Sequence, residues 1–97
     1  MIELSPRDYP NAYLVGGGIK ADRRQFEDGL KDIALAIEIY RDQAVALDAK
    51  AKADDARGYN RRAEGERRRK GRIEAALQRA RQVLKNVEAL KGGRFIQ

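Results

Sequence analysis

FEDGLKDIALAIEIYRDQA at residues 26–44 and IEAALQRARQVLKNV at residues 73–87 carry apolar residues that mirror one another. In the first stretch Phe26, Leu30, Ile33, Ile37, Tyr40 and Ala44 recur in alternating steps of four and three. In the second, Ile73, Leu77, Ala80, Leu84 and Val87 do the same. Taken outside-in, Leu30 pairs with Val87, Ile33 with Leu84, Ile37 with Ala80, Tyr40 with Leu77 and Ala44 with Ile73. Every pair has the same residue-number sum, which puts the axis of the mirror between Gly58 and Tyr59. A 3–4 apolar spacing makes a seam along one side of a helix. Two seams read in opposite order predict an all-α chain built on a long antiparallel helical hairpin of coiled-coil type.

Boundaries follow from the residues that flank the seams. Asp22 is the expected N-cap of the first helix, with Gln25 three residues on as its capping-box partner. That helix runs over about 22–56, supported by Glu27 with Lys31 and Asp48 with Lys52 at i,i+4. Gly58 is its stop, the turn covers about 57–60, and Asn60 caps a second helix over about 61–91 that ends at Gly92-Gly93. Gly65 and Gly71 each cost that helix about 1 kcal/mol relative to alanine, so its first turns are its weakest. Residues 92–97 form a tail.

The first 21 residues read differently. Pro10 interrupts a helical pattern, Gly16-Gly17-Gly18 reads as a hinge, and no 3.6-residue period is visible. The segment is nonetheless apolar, with Tyr9, Tyr13, Leu14 and Val15. It is expected to fold back as a cap over the open end of the hairpin, near Phe95 and Ile96, with a short strand pairing there. Gly16-Gly17-Gly18-Ile19-Lys20 lacks the strand, the spacing and the hydroxyl of a phosphate-binding loop.

Composition narrows the chemistry. With 97 residues, no cysteine and no histidine, the chain has no disulfides, thiolate nucleophiles or imidazole bases, and nearly every transition-metal site is excluded. Asp28, Asp32 and Asp42 share a side of the first helix without the spacing of a calcium loop and read as solvation. The expectation is a non-enzymatic protein with no cofactor, metal or small-molecule substrate. No run approaches a membrane span and no signal-peptide pattern opens the chain, so a cytoplasmic location is expected.

Charge is polarised along the sequence. Residues 22–55 hold six basic and nine acidic side chains, whereas residues 56–97 hold thirteen and four. The stretch from Arg57 to Arg72 alone has eight basic and two acidic residues and equals the net charge of +6. Apolar pairing stops beyond Ala44 and Ile73, leaving this basic run at the tip. Guanidinium groups donate paired hydrogen bonds to phosphates and carboxylates. Arg57, Tyr59, Arg61, Arg62, Arg67, Arg68, Arg69, Lys70 and Arg72 are therefore the candidate contacts for nucleic acid or an acidic partner.

A two-helix seam leaves Leu35, Ile39 and Ala46 on the far side of the first helix. A bare hairpin buries little against a backbone entropy cost of about 1–2 kcal/mol per ordered residue. The hairpin is expected to be completed by docking on a larger protein or by dimerisation into a four-helix bundle. Leu35, Ile39, Ala46, Tyr9, Tyr13, Leu14, Val15 and Phe95 are the candidate protein interface. The leading reading is an assembly factor, adaptor or inhibitor that binds a larger protein. The alternative is direct binding of nucleic acid by the arginine-rich tip.

Overall fold

A computed structural model describes residues 9–93 as three helices, α1 (Pro10–Asp22), α2 (Phe26–Ala56) and α3 (Asn60–Lys91). No strand occurs among the described residues. Phe95 and Ile96, with the strand pairing expected there, lie outside them. α2 and α3 pack along their length: Asp55 meets Arg67, Asp48 meets Lys70, Tyr40 clusters with Leu77 and Ala80, and Ile33 clusters with Val87. α1 lies mainly against α2 and touches α3 far less.

The alternating spacing that starts at Phe26 does not stop at Ala44. It continues through Leu47, Ala51 and Asp54 on α2, and backward from Ile73 through Lys70, Glu66 and Ala63 on α3. Ala51, Asp54 and Ala63 are buried, and Leu47, Glu66 and Lys70 are half-buried. The expectation that pairing ends at Ala44 and Ile73 is thus corrected. Pairing persists to the turn, with alanines and ionic side chains replacing the large aliphatics, a change that hydropathy alone does not register as a seam.

The N-terminal segment is the larger correction. Residues 10–22 form a helix, with Pro10 at its first position, where a missing N–H costs nothing and the fixed φ suits the turn. The three glycines are inside it and make no hinge. Gly17 is buried against Gly29 of α2. A Cβ on Gly17 would stand 2.7 Å from the Gly29 carbonyl oxygen, and one on Gly29 would stand 2.7 Å from the Gly17 carbonyl oxygen. Two backbones meet here, and any side chain would part them. Lys20 Nζ then donates to Asp32 Oδ2 at 2.7 Å, tying the end of α1 to α2.

Asp22 is not an N-cap. It is the last residue of α1, and the α1–α2 turn is closed by Arg24 in the left-handed region at φ 67. Arg24 N–H donates to the Ala21 carbonyl and Gln25 N–H to the Lys20 carbonyl, the paired bonds of a Schellman end. Gly58, at φ 83, closes α2 the same way: its N–H donates to the Asp55 carbonyl and the Tyr59 N–H to the Asp54 carbonyl. Arginine in the first of these turns leaves no sequence signal, which is why a single helix from residue 22 looked continuous. Tyr59, not Asn60, takes the cap position of α3, without a side-chain cap bond.

Only the middle glycine of the three has a steric reason to be glycine, because a Cβ on Gly16 or Gly18 would meet nothing within 4 Å. Gly17→Ala should destabilise the protein by about 1–3 kcal/mol through overpacking. Gly16→Ala and Gly18→Ala should each stabilise it by about 0.5–1 kcal/mol through helix propensity. Urea denaturation followed by circular dichroism checks both signs.

Candidate interaction surface

Beside its seam, α2 carries Gly29, Ala36, Gln43 and Lys50 at seven-residue intervals, and α3 carries Leu90, Val83, Ala76 and Arg69 in the facing order. Both rows change character along their length, α2 at Gln43 and α3 one step later at Arg69. Gly29 and Ala36 are buried, and Tyr13 and Leu14 of α1 pack where Ala36, Tyr40, Ala76, Leu77 and Ala80 cluster. Beyond that level the rows become polar and an open groove of about 560 Å³ lies between α2 and α3. Ala46, Leu47 and Ile73 supply its apolar surface, and Gln43, Lys50, Arg69 and Arg72 supply its rim.

The rim is cationic and, among the described residues, lacks an acid. Among the described residues no ion pair involves Arg69 or Arg72. The opposite side of the α2–α3 pair differs: Arg41, Ala44, Val45, Asp48, Lys70, Glu74 and Leu77 line a smaller depression of about 290 Å³ with charges of both signs. There Asp48 accepts from Lys70 Nζ at 3.1 Å and pairs with Lys52 Nζ at 3.0 Å. Those two ammonium groups, Lys52 first, hold the Asp48 carboxyl below its ordinary range. Arg67 pairs with Asp55. Two cations of the basic run, Arg67 and Lys70, are therefore engaged with α2.

Nearer the turn the seam holds two acids. Asp54 is 6% exposed, and the Glu66 Oε2 is buried without a hydrogen-bond partner among the described residues. Burial first, then the hydrogen bond and charge of Asp54, push the Glu66 carboxyl above its ordinary range, against the pull of Lys50 and Arg62. A carboxyl that keeps its proton can donate to a neighbouring carboxylate, whereas two carboxylates there repel.

The residues singled out from the sequence separate into distinct places. Arg57, Tyr59, Arg61, Arg62, Arg67, Arg68, Arg69 and Arg72 are exposed and Lys70 is half-buried. They do not share one face. The Arg62 guanidinium lies over the Tyr59 ring at 5.2 Å, Arg69 and Arg72 join the groove, and Arg67 and Lys70 turn toward α2. Of the apolar candidates, Ile39 is 1% exposed and belongs to the interior, which removes it as a contact residue. Leu35 is half-buried, Ala46 lines the groove, Tyr13 and Leu14 face the core, and Tyr9 and Val15 are exposed. Phe95 lies outside the described residues. Lys50, Leu47 and Gln43 were not singled out, although the seven-residue row from Gly29 would have pointed to Gln43 and Lys50. Among the described residues no three acids converge to hold a metal ion, and no helix is long and apolar enough to cross a membrane.

Because the folded protein holds the Glu66 proton more tightly than the unfolded chain, the folded state binds more protons above pH 4.5, the ordinary value for this group. Its contribution is full below that pH and is lost as pH rises through the raised folded value. Glu66→Gln keeps a donor for Asp54 and cannot ionise. The variant should melt higher than the parent at pH 7 and lose the decline between pH 4.5 and neutrality, as read by thermal melts across that range. The chain matches no protein-family model, no curated protein and no solved structure.

Proposed function

We propose that this chain is a non-enzymatic interaction protein, a helical hairpin braced by α1, that binds a larger protein as an assembly factor, adaptor or inhibitor. The observation that carries this reading is the groove between α2 and α3: an apolar floor of Ala46, Leu47 and Ile73 rimmed by Lys50, Arg69 and Arg72. An apolar strip with convergent charge suits a macromolecular surface, where the apolar area supplies affinity and the charges supply orientation and on-rate. The chain has no cysteine and no histidine, so neither a thiol nor an imidazole lines it. Affinity capture from the producing cell, with nuclease present, should recover a protein on the parent chain and lose it on Lys50→Glu/Arg69→Glu/Arg72→Glu. Equal recovery by both chains counts against the reading.

The second reading, direct nucleic-acid binding, draws on Arg57, Arg61 and Arg68, which are exposed around the turn and the first turns of α3. Phosphate contacts would dominate, with Tyr59, 52% exposed, available for base stacking. Changing Arg57, Arg61, Arg62 and Arg68 together to alanine should weaken binding of DNA or RNA and reduce its salt slope by about 0.7–0.9 per lost phosphate contact. Absence of salt-dependent retardation of either nucleic acid by the parent chain removes this reading.

A further inference from the structure

Among the described residues, the groove is the open half of a channel whose other half holds a helix. The row of Gly29, Ala36, Gln43 and Lys50 runs straight along α2, and α1 covers its first two members and stops at Pro10. At 13 residues α1 spans about 20 Å, while α2 at 31 residues spans about 46 Å. Past Pro10 the walls are still two helices at packing distance and the floor is still aliphatic, through Leu47 and Ile73. What changes is the rim. Small and apolar residues give way to Gln43 and Lys50 on one wall and Arg69 and Arg72 on the other.

We propose that this open half-channel receives an acidic amphipathic helix of a partner protein, its apolar stripe on Ala46, Leu47 and Ile73 and its flanking carboxylates on Lys50, Arg69 and Arg72. This rests on the protein-binding reading above and names the chemistry of the partner. Helical form follows from the adjoining half-channel, where Tyr13 and Leu14 of α1 show how a helix packs between the same two walls. Acidic flanks follow from charge complementarity. The three rim cations come from both walls, and among the described residues no carboxylate lines the groove and Arg69 and Arg72 form no ion pair. The opposite depression fails on this count, since Asp48 and Glu74 sit beside its cations and Lys70 is already paired. Nucleic acid fits the groove less well, because its floor is aliphatic and offers phosphates and bases neither a donor nor an aromatic face.

The probe is a labelled synthetic helix of about four turns carrying a Leu/Ala stripe flanked by glutamate, with a lysine-flanked peptide of the same stripe as control. Fluorescence anisotropy with the full chain should show the glutamate peptide binding at least about tenfold tighter than the lysine peptide, with affinity falling as salt rises. Lys50→Glu/Arg69→Glu/Arg72→Glu should reverse that preference, and Ala46→Glu, which blocks the floor, should abolish binding, both with parental helicity by circular dichroism. Equal binding of the two peptides by the parent, binding of neither, or an unreversed preference in the triple variant overturns the proposal. So does sedimentation showing a parent dimer that the peptide cannot compete with, or displacement of the peptide by vesicles of phosphatidylglycerol that do the same with neutral lipid absent. Failure of the peptide with rim-dependent capture of a cellular protein intact defeats only the acidic-helix assignment. Loss of both defeats the protein-binding reading as well.

Discussion

Everything in this molecule depends on the contact strip between α2 and α3. Its alternating spacing sets which residues of each helix face the other, and that in turn fixes what remains outside. At the end away from the turn the strip is built of Ile33, Leu84, Val87 and their neighbours, whose burial is worth about 1.5–3 kcal/mol per large side chain. Toward the turn it thins to Ala51 and Ala63, with Asp54, Glu66 and Lys70 between them. Cohesion is therefore graded along the molecule. The apolar end binds tightly for its length, and the turn end is held by small contacts and ion pairs to α2.

α1 is possible because two glycines let backbones touch. Helices usually pack with axes 8–10 Å apart, set by the side chains between them. At Gly17 and Gly29 there are none. The close approach lets a short helix with few large residues reach both Ile33 on α2 and Val87 on α3, through Ala21. It also fixes how far along α2 a 13-residue helix can extend, and so where the channel is left open.

Much of this was legible in the sequence, and the exceptions have physical causes. The alternating apolar residues of 26–44 and 73–87, Gly58 at the turn and Gly92-Gly93 past the last helix are strong local signals, and the described helices end at these glycines. α1 was illegible because its helical character comes from packing: three glycines oppose helix on propensity, and only the middle one, Gly17, is explained by its fit against Gly29. The turn at Arg23–Gln25 was illegible because arginine at φ 67 is chosen by the backbone, not by its own preference. Of the candidate surface, the basic residues could be read from composition but not how they divide. Pairing of Arg67 and Lys70 with α2, and placement of Arg69 and Arg72 at a groove, depend on helix phase. Ile39 looked stranded because it falls outside the α2–α3 seam, yet it is 1% exposed.

Gly16 and Gly18 carry a consequence for the order in which the molecule comes apart. Each keeps α1 less helical than alanine would, and neither repays that through contact. α1 should thus be the first cooperative unit to open, with its amide protons exchanging well before those of α2 and α3. Lifting it would uncover Gly29, Ala36, Ala76 and Val83 and join their bed to the channel beyond. The half-length groove of the closed molecule would then become one continuous trough running most of the length of α2.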